Sequence, residues 1–134
     1  MKNNMLRKVT ATVLGIGILS MGATALAGTT YTTYNTTVPA VNGSGYSGYQ
    51  TKSIGGANGN LNSVSVGSTY FVDARMQDAT SGVHGSWIRD VTDSTNYVVY
   101  SNANHAGGDS MRMQFSNDLF TPVSVQVTGS WRSN

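Results

Sequence analysis

The sequence has no cysteine and no glutamate, and only two of its 134 residues are proline. The lack of cysteine excludes a disulfide framework, a lipoprotein anchor and a thiolate metal site. The lack of glutamate removes the usual raised-pKa acid of a glycoside hydrolase. Large aliphatic residues are also scarce after the first 27 residues, whereas tyrosine, tryptophan and methionine are present. We therefore expect a thin core built from valine and aromatic side chains.

The N-terminus has the pattern of a secretory signal peptide. The basic segment MKNNMLRK precedes an apolar run that closes on the small residues Ala25 and Ala27. Such a run, interrupted by threonine and glycine, is short for a membrane span. We predict a signal helix over residues 1–27, cleavage before Gly28, and a secreted, extracellular protein without a stable membrane anchor. The producer is expected to be Gram-positive.

Removal of the signal peptide reverses the sign of the net charge. Residues 28–134 contain five lysines and arginines and six aspartates, and 5 − 6 gives −1. The basic character of the whole chain belongs mostly to the discarded segment. No excess of positive charge is left to neutralise phosphates, so we expect neither nucleic acid nor an anionic membrane as a partner.

Residues 28–134 are predicted to form a single all-β domain. Short segments of alternating or β-branched character are separated by clusters of Gly, Asn, Ser and Asp, and no helical period extends over ten residues. This favours a small antiparallel β-sandwich of about eight short strands, with a small β-barrel as the alternative. The predicted strands are 29–38, 49–54, 61–66, 69–78, 85–91, 96–100, 110–116 and 121–131.

Two pairs of these strands are predicted to be hairpins. One is joined by the turn sequence TDST at 92–95, and the other is the closing hairpin of the core, over 110–131. Pro122 is expected at the first residue of the last strand. Strand parity directs one set of side chains inward. That set is Val64, Val66, Tyr70, Met111, Met113, Phe115, Val123, Val125, Val127 and Trp131, and Trp87 is also expected in the core.

The segment 28–48 is predicted to be an irregular arm rich in Tyr, Thr and Gly. Its default role is to complete its own sheet, and the alternative is strand exchange that causes self-association. Aromatic rings among amide and hydroxyl groups are what a sugar-binding surface uses. The candidate ligand-binding residues are therefore the tyrosines of this region, Tyr31, Tyr34, Tyr46 and Tyr49.

No catalytic or metal constellation stands out. His84 and His105 lie in Gly-rich stretches and are predicted to be solvated loop histidines, and no nucleophile elbow or zinc-protease motif accompanies them. The aspartates at strand ends match turn chemistry better than a calcium loop. We predict no catalytic residue, no metal and no cofactor.

The two ends of the chain carry a resemblance. The MKNN-LRK signal peptide, the Tyr/Thr-rich start and a last strand of the form V-x-V-x-G-x-W resemble small secreted β-sandwich proteins of Bacillus and its relatives, some of them bacteriocin-like. The resemblance implies compartment and fold class and no functional residue. Three functions remain open: a non-enzymatic extracellular interaction or structural protein, with a bacteriocin-like role as one version; a carbohydrate- or cell-wall-binding module using the N-terminal tyrosines; and a small secreted hydrolase. The corresponding partners are an extracellular protein or a cell-surface glycan.

Overall fold

The structure, a computed structural model, describes residues 28–134. Within this range the chain forms strands and turns and no helix. The predicted signal helix and the residues Ala25 and Ala27 lie outside the described part. The strands are β1 (Thr32–Val38), β2 (Ser44–Tyr46), β3 (Gln50–Thr51), β4 (Gly59–Val66), β5 (Val72–Asp78), β6 (Ile88–Val91), β7 (Thr95–Val99), β8 (Ser110–Asn117) and β9 (Val125–Arg132).

The strands form two antiparallel sheets, which confirms the predicted small β-sandwich. The first sheet has four strands in the order β1-β9-β4-β7. The second sheet has five strands, with β2-β8-β5-β6 in line and β3 also paired to β8. β2 lies within residues 42–48, for which the sequence predicts no strand.

Both predicted hairpins are wrong. β6 pairs with β5 in the second sheet, whereas β7 pairs with β4 in the first. The strands β8 and β9 likewise belong to different sheets. Turn residues mark where a chain reverses, but they do not determine which strand becomes the hydrogen-bonded neighbour. The turns at 92–94 and 118–124 therefore carry the chain from one sheet to the other.

Strand parity correctly predicts most of the core. Trp131 is fully buried between the sheets, as are Met111, Met113 and Phe115 of β8, and Val125 and Val127 of β9 are almost so. Val123 is exposed, contrary to expectation, because β9 begins only at Val125. Pro122 consequently lies in the preceding turn and not at the start of the strand.

A β-bulge changes the parity of β4. The pairing of β4 with β9 shifts between Ser63 and Ser65. An extra residue in one strand turns the following side chains to the other face. Val64 is therefore 62% exposed while Val66 is buried, and the prediction that the two share one face is wrong.

The N-terminal segment links the two sheets. All seven residues of β1 pair with β9, and β2 pairs with the end of β8. Residues 28–48 thus contain two regular strands, each at an edge of its sheet. β1 completes a sheet of its own chain, and strand exchange between subunits stays a prediction. Gly28, the first residue after the predicted cleavage, is buried, and its main-chain N lies 3.1 Å from Ser53 Oγ.

Candidate functional site

The outer face of the second sheet carries a regular array of polar side chains. Because Val72, Ala74 and Met76 point inward along β5, the alternating residues between them point outward. The same parity applies to β8. Register then places Arg75 opposite Gln114, and Gln77 opposite Arg112. We call this surface the arginine face, and it consists of Ser44, Tyr46, Asp73, Arg75, Gln77, Trp87, Arg89, Arg112 and Gln114.

Each of two arginines is held by a glutamine on the neighbouring strand. Arg75 Nε donates to Gln114 Oε1 at 2.7 Å, and Arg112 Nε donates to Gln77 Oε1 at 3.0 Å. Gln114 Nε2 extends the chain of hydrogen bonds to Ser44 Oγ at 3.1 Å. A guanidinium has five N–H donors in a fixed fork, so these bonds orient the group and use only one donor each.

The same two arginines lie over aromatic rings. The guanidinium carbon of Arg75 is 4.1 Å from the ring centroid of Trp87, and that of Arg112 is 3.8 Å from the centroid of Tyr46. Arg89 approaches the Trp87 ring at 5.7 Å. Contacts of this kind contribute roughly 0.5–1 kcal/mol at exposed sites. They hold the arginines against the sheet and leave less freedom to lose when a ligand binds.

Trp87 does not lie in the core, so the prediction for this residue is wrong. It is half-buried on the surface, just before β6 begins at Ile88. Arginine side chains cover its ring in place of the first sheet. Tyr70 is partly buried against the core, and Phe115 and Trp131 are fully buried, as predicted.

Positive charge is concentrated on the arginine face. Its only carboxylate, Asp73, forms an ion pair with Arg89, the single salt bridge found within residues 28–134. Three arginines and one aspartate give +2 for this face, against −1 for residues 28–134 as a whole. Burial lowers the pKa of Arg75 and the nearby phenol of Tyr46 opposes the shift, but arginine remains a cation at neutral pH. Arg75 and Arg112 therefore have no carboxylate partner in the described chain.

A cleft lies at one end of the arginine face. Its volume is about 350 Å³. The loop before β6 approaches β7 closely because residue 85 is glycine, and a Cβ there would collide with the carbonyl oxygen of Tyr100. Asn102 Nδ2 donates to the carbonyl oxygen of His84 at 3.0 Å and ties the two walls together. The lining residues are Arg75, His84, Gly85, Ser86, Trp87, Ser101 and Asn102.

The cleft offers hydrogen-bond donors and no carboxylate. Its lining residues include one arginine, one histidine and two serines. General acid–base chemistry on a glycoside or an ester would need a paired acid or an oriented base. The arrangement is suited to holding an oxygen-rich or anionic group.

The two histidines have different environments. His84 is exposed, whereas His105 is only 1% exposed, so the prediction that both are solvated is wrong for His105. His105 Nδ1 accepts from the main-chain N of Asn102 at 3.1 Å, and Nε2 donates to the carbonyl oxygen of Val83 at 3.1 Å. The two ring nitrogens thus join the loop between β7 and β8 to the connection between β5 and β6, and His105 has no free nitrogen to act as a base.

The four candidate tyrosines do not form one site. Tyr34 is 5% exposed and packs against Phe115, with ring centroids 4.9 Å apart, so a surface ligand does not reach it. Tyr31 is exposed just before β1, with its ring centroid 5.0 Å from the guanidinium carbon of Arg132 on the first sheet. Tyr46 and Tyr49 are exposed on and beside β2, and only Tyr46 belongs to the arginine face.

The aspartates serve the fold. Asp78 accepts from the main-chain N of Thr80 at 2.8 Å and from Ser81 Oγ at 2.6 Å, and the Ser81 hydroxyl lowers its pKa. Asp93 accepts from the main-chain N of Val66 across the turn at 92–94. Over the described residues, no three His, Cys, Asp or Glu side chains come together to hold a metal ion.

Comparison with known proteins adds no relative. No family model, no curated protein and no solved structure matches this chain. No helix among residues 28–134 is long and apolar enough to cross a membrane. The resemblance to small Bacillus-type proteins stays a prediction, and function has to be argued from the chemistry of the surface.

Proposed function

We propose that the protein is a secreted, non-enzymatic binding protein and that the arginine face binds an anionic cell-surface glycan. One observation carries this proposal. Arg75 and Arg112 are each stacked on an aromatic ring, each oriented by a glutamine, and neither has a carboxylate partner in the described residues.

The chemistry of the face matches a charged sugar polymer. Guanidinium groups bind carboxylate or phosphate oxygens with two parallel hydrogen bonds. Exposed aromatic rings and side-chain amides supply the stacking surface and the polar contacts that sugar rings and their hydroxyl groups use. Since the face is a β-sheet, an extended polymer can lie across it and contact both arginines.

The charge distribution favours an anionic ligand, which the overall composition does not. A chain with net charge −1 after the signal segment would not attract a polyanion through its overall field. The arginine face, in contrast, has a local charge of +2 and would touch its ligand directly. At contact distance, salt screening has little effect, because the screening length is about 8–10 Å. The alternative of a neutral carbohydrate module rests on Tyr46 and Tyr49, because Tyr34 is buried and Tyr31 lies beside the first sheet.

Two observations support a binding role over a hydrolase. The cleft contains no carboxylate, and both nitrogens of His105 are hydrogen-bonded to main-chain groups. His84 is the only histidine at the cleft and has no acidic residue among its lining neighbours. A bacteriocin-like role is one version of the proposal, in which the bound glycan belongs to a competitor's cell wall.

The test compares a charged glycan with a neutral one. We expect the processed protein to bind immobilised polygalacturonate at low ionic strength, with galactan as the neutral control. Arg75→Gln combined with Arg112→Gln should weaken binding by about tenfold or more, the effect of losing charge-assisted hydrogen bonds. Arg132→Gln is the matched control, because it removes one positive charge from the first sheet, where Arg132 Nε donates to Asn60 Oδ1.

Three results would contradict the proposal. If the double variant and Arg132→Gln weaken binding by the same factor for each charge removed, the effect comes from overall charge and not from a site on the arginine face. Equal binding to galactan that is lost in Tyr46→Ala would favour the neutral carbohydrate module instead. Turnover of a glycan or an ester that is abolished by His84→Ala would establish a hydrolase.

A further inference from the structure

A cluster of exposed apolar side chains lies at one end of the sandwich, away from the cleft. Three turns meet there, at 39–43, 67–71 and 118–124. Main-chain hydrogen bonds join the first turn to the third, from Val41 N to Thr121 O at 2.9 Å and from Asn42 N to Asp118 O at 3.2 Å. We call this cluster the apolar tip, and it consists of Val41, Phe71, Leu119, Phe120 and Val123.

The most exposed residues of the apolar tip occupy the corner of a tight turn. Thr121 N donates to Asp118 O at 3.1 Å, which places Leu119 and Phe120 at the two central positions. These positions normally hold Gly, Pro, Asn, Asp or Ser. Phe120 is 90% exposed, so it contributes almost nothing to the core. Neither turn chemistry nor packing explains two large apolar residues there.

The turn that presents Phe120 is held firmly by a buried asparagine. Asn117 Nδ2 donates to the carbonyl oxygens of Pro39 at 3.1 Å and Val123 at 3.0 Å. Asn117 N also donates to Gly43 O at 3.0 Å. A contact surface that is already ordered loses less entropy on binding. The fold thus fixes an apolar group in solvent, which is a feature of binding surfaces more than of simple turns.

The shape and charge of the apolar tip indicate what covers it. The tip is the corner of a turn, so it projects outward and encloses no groove. Two copies meeting tip to tip would bring their Asp118 carboxylates together, which opposes a symmetric dimer. The three turns contain no lysine or arginine, and Asp118 disfavours a negatively charged surface. The side chains of the apolar tip project to different extents, and the fluid acyl chains of a lipid bilayer with neutral headgroups can accommodate such an uneven surface.

We propose that the apolar tip inserts into the interface of a zwitterionic phospholipid bilayer, with Leu119 and Phe120 reaching deepest. The insertion uses none of the residues of the arginine face and does not depend on the function proposed for it. The Ser, Thr and Asn side chains of the same turns lie at the level of the headgroups. The protein is anchored at the surface and does not span the bilayer.

The test is flotation with phosphatidylcholine vesicles, using the processed protein recovered from culture medium. We expect wild type to float with the vesicles and Phe120→Ser to lower the partition coefficient by about tenfold or more, the effect of withdrawing one phenyl group from an apolar phase. Ile54→Ser is the matched control, because Ile54 is 59% exposed and lies in the loop between β3 and β4 at the opposite end. It should bind like wild type.

Each other outcome overturns the proposal. Wild type that does not float, or Phe120→Ser that floats equally well, excludes insertion through the tip. Binding that requires added phosphatidylglycerol shows a charge contact through arginines. Self-association in sedimentation without vesicles, abolished by Phe120→Ser, shows that the tip is a contact between copies of the chain.

Discussion

Tyr34 combines a well-packed ring with a hydroxyl group that has no partner. The ring packs on Phe115 in the core, and both the Tyr34 hydroxyl and the nearby Ser63 hydroxyl are buried without a hydrogen bond in the described structure. Burial raises the pKa of Tyr34 to about 12, and the Ser63 hydroxyl, which is close by but outside hydrogen-bond geometry, acts in the opposite direction. The substitution Tyr34→Phe keeps the ring and removes only the oxygen.

The expected magnitude at neutral pH follows from desolvation. A buried polar group without a partner costs about 1–3 kcal/mol. Its removal should therefore raise the free energy of unfolding by about 1 kcal/mol, after allowance for the small space left by the oxygen. For a domain of this size that corresponds to an increase in Tm of roughly 4 °C.

The expected difference is larger at alkaline pH. The folded pKa of Tyr34, about 12, lies above the ordinary value of 10.0, so the unfolded chain loses this proton first as pH rises. Ionisation of Tyr34 therefore leaves the stability of the wild type unchanged below pH 10 and lowers it between pH 10 and 12. At about 1.4 kcal/mol for each pKa unit, the loss reaches about 3 kcal/mol. Tyr34→Phe has no phenol at this position, so its free energy of unfolding should not show this part of the decrease at alkaline pH.

The assay is urea denaturation of wild type and Tyr34→Phe from neutral pH to the alkaline limit of reversible folding. The difference between the two proteins isolates Tyr34, because every other titrating group is common to both. A variant that is less stable than wild type by about 1 kcal/mol at neutral pH would mean that the hydroxyl has a partner. Parallel alkaline profiles would refute the account of its pKa.

Three further predictions concern residues that shape the fold. His105→Ala should lower the free energy of unfolding by about 3 kcal/mol in urea denaturation, because it leaves buried loop groups without partners, while exposed His84→Ala should change it by less than about 0.5 kcal/mol. Gly129→Ala should cost about 2 kcal/mol or more, because a Cβ there would collide with the main-chain carbonyl oxygen of Asn62 and meet the Tyr34 hydroxyl oxygen at 2.6 Å, whereas Gly48→Ala, with open space around it, should be nearly neutral. Asp78→Asn should flatten the loss of Tm in acid, since the lowered pKa of Asp78 gives stabilisation that is present above pH 3.8 and lost as pH falls. Equal effects within either matched pair, or an unchanged acid profile, would contradict these assignments.

The sequence predicts those parts of the fold that depend on local alternation. The inward parity of Met111, Met113 and Phe115 needs only the period of two along one strand, and it is correct. The all-β class follows from β-propensity and turn spacing over the whole domain. Trp131 is buried because it shares the parity of Val125 and Val127 in the same strand.

The parts that fail depend on pairing between distant segments. Val64 faces outward because of a bulge between β4 and β9, and no local signal marks a bulge there. The hairpin prediction fails because β6 and β7 belong to different sheets, and each pairs with a strand that is distant in sequence from the turn between them. A tight turn is compatible with both a hairpin and a crossover, so turn residues alone do not distinguish them.

The candidate site shows the same limit. Alternation alone indicates that Arg75 and Gln77 share the outward face of one strand and that Arg112 and Gln114 share that of another. Only the register between β5 and β8 brings each arginine beside a glutamine. The position of Trp87 beside Arg75 depends on a loop that the sequence does not specify. Net charge over the chain conceals this local concentration of positive charge.

The most direct test of the proposed function is to follow arginine side-chain Nε–H signals by NMR while a short oligogalacturonate is added. Arg75 and Arg112 should shift together and saturate at one ligand concentration, because both contact the same bound chain. Arg132, on the first sheet, should not shift. Movement of Arg132 with the other two, or no movement of Arg75 and Arg112, would contradict a binding site on the arginine face.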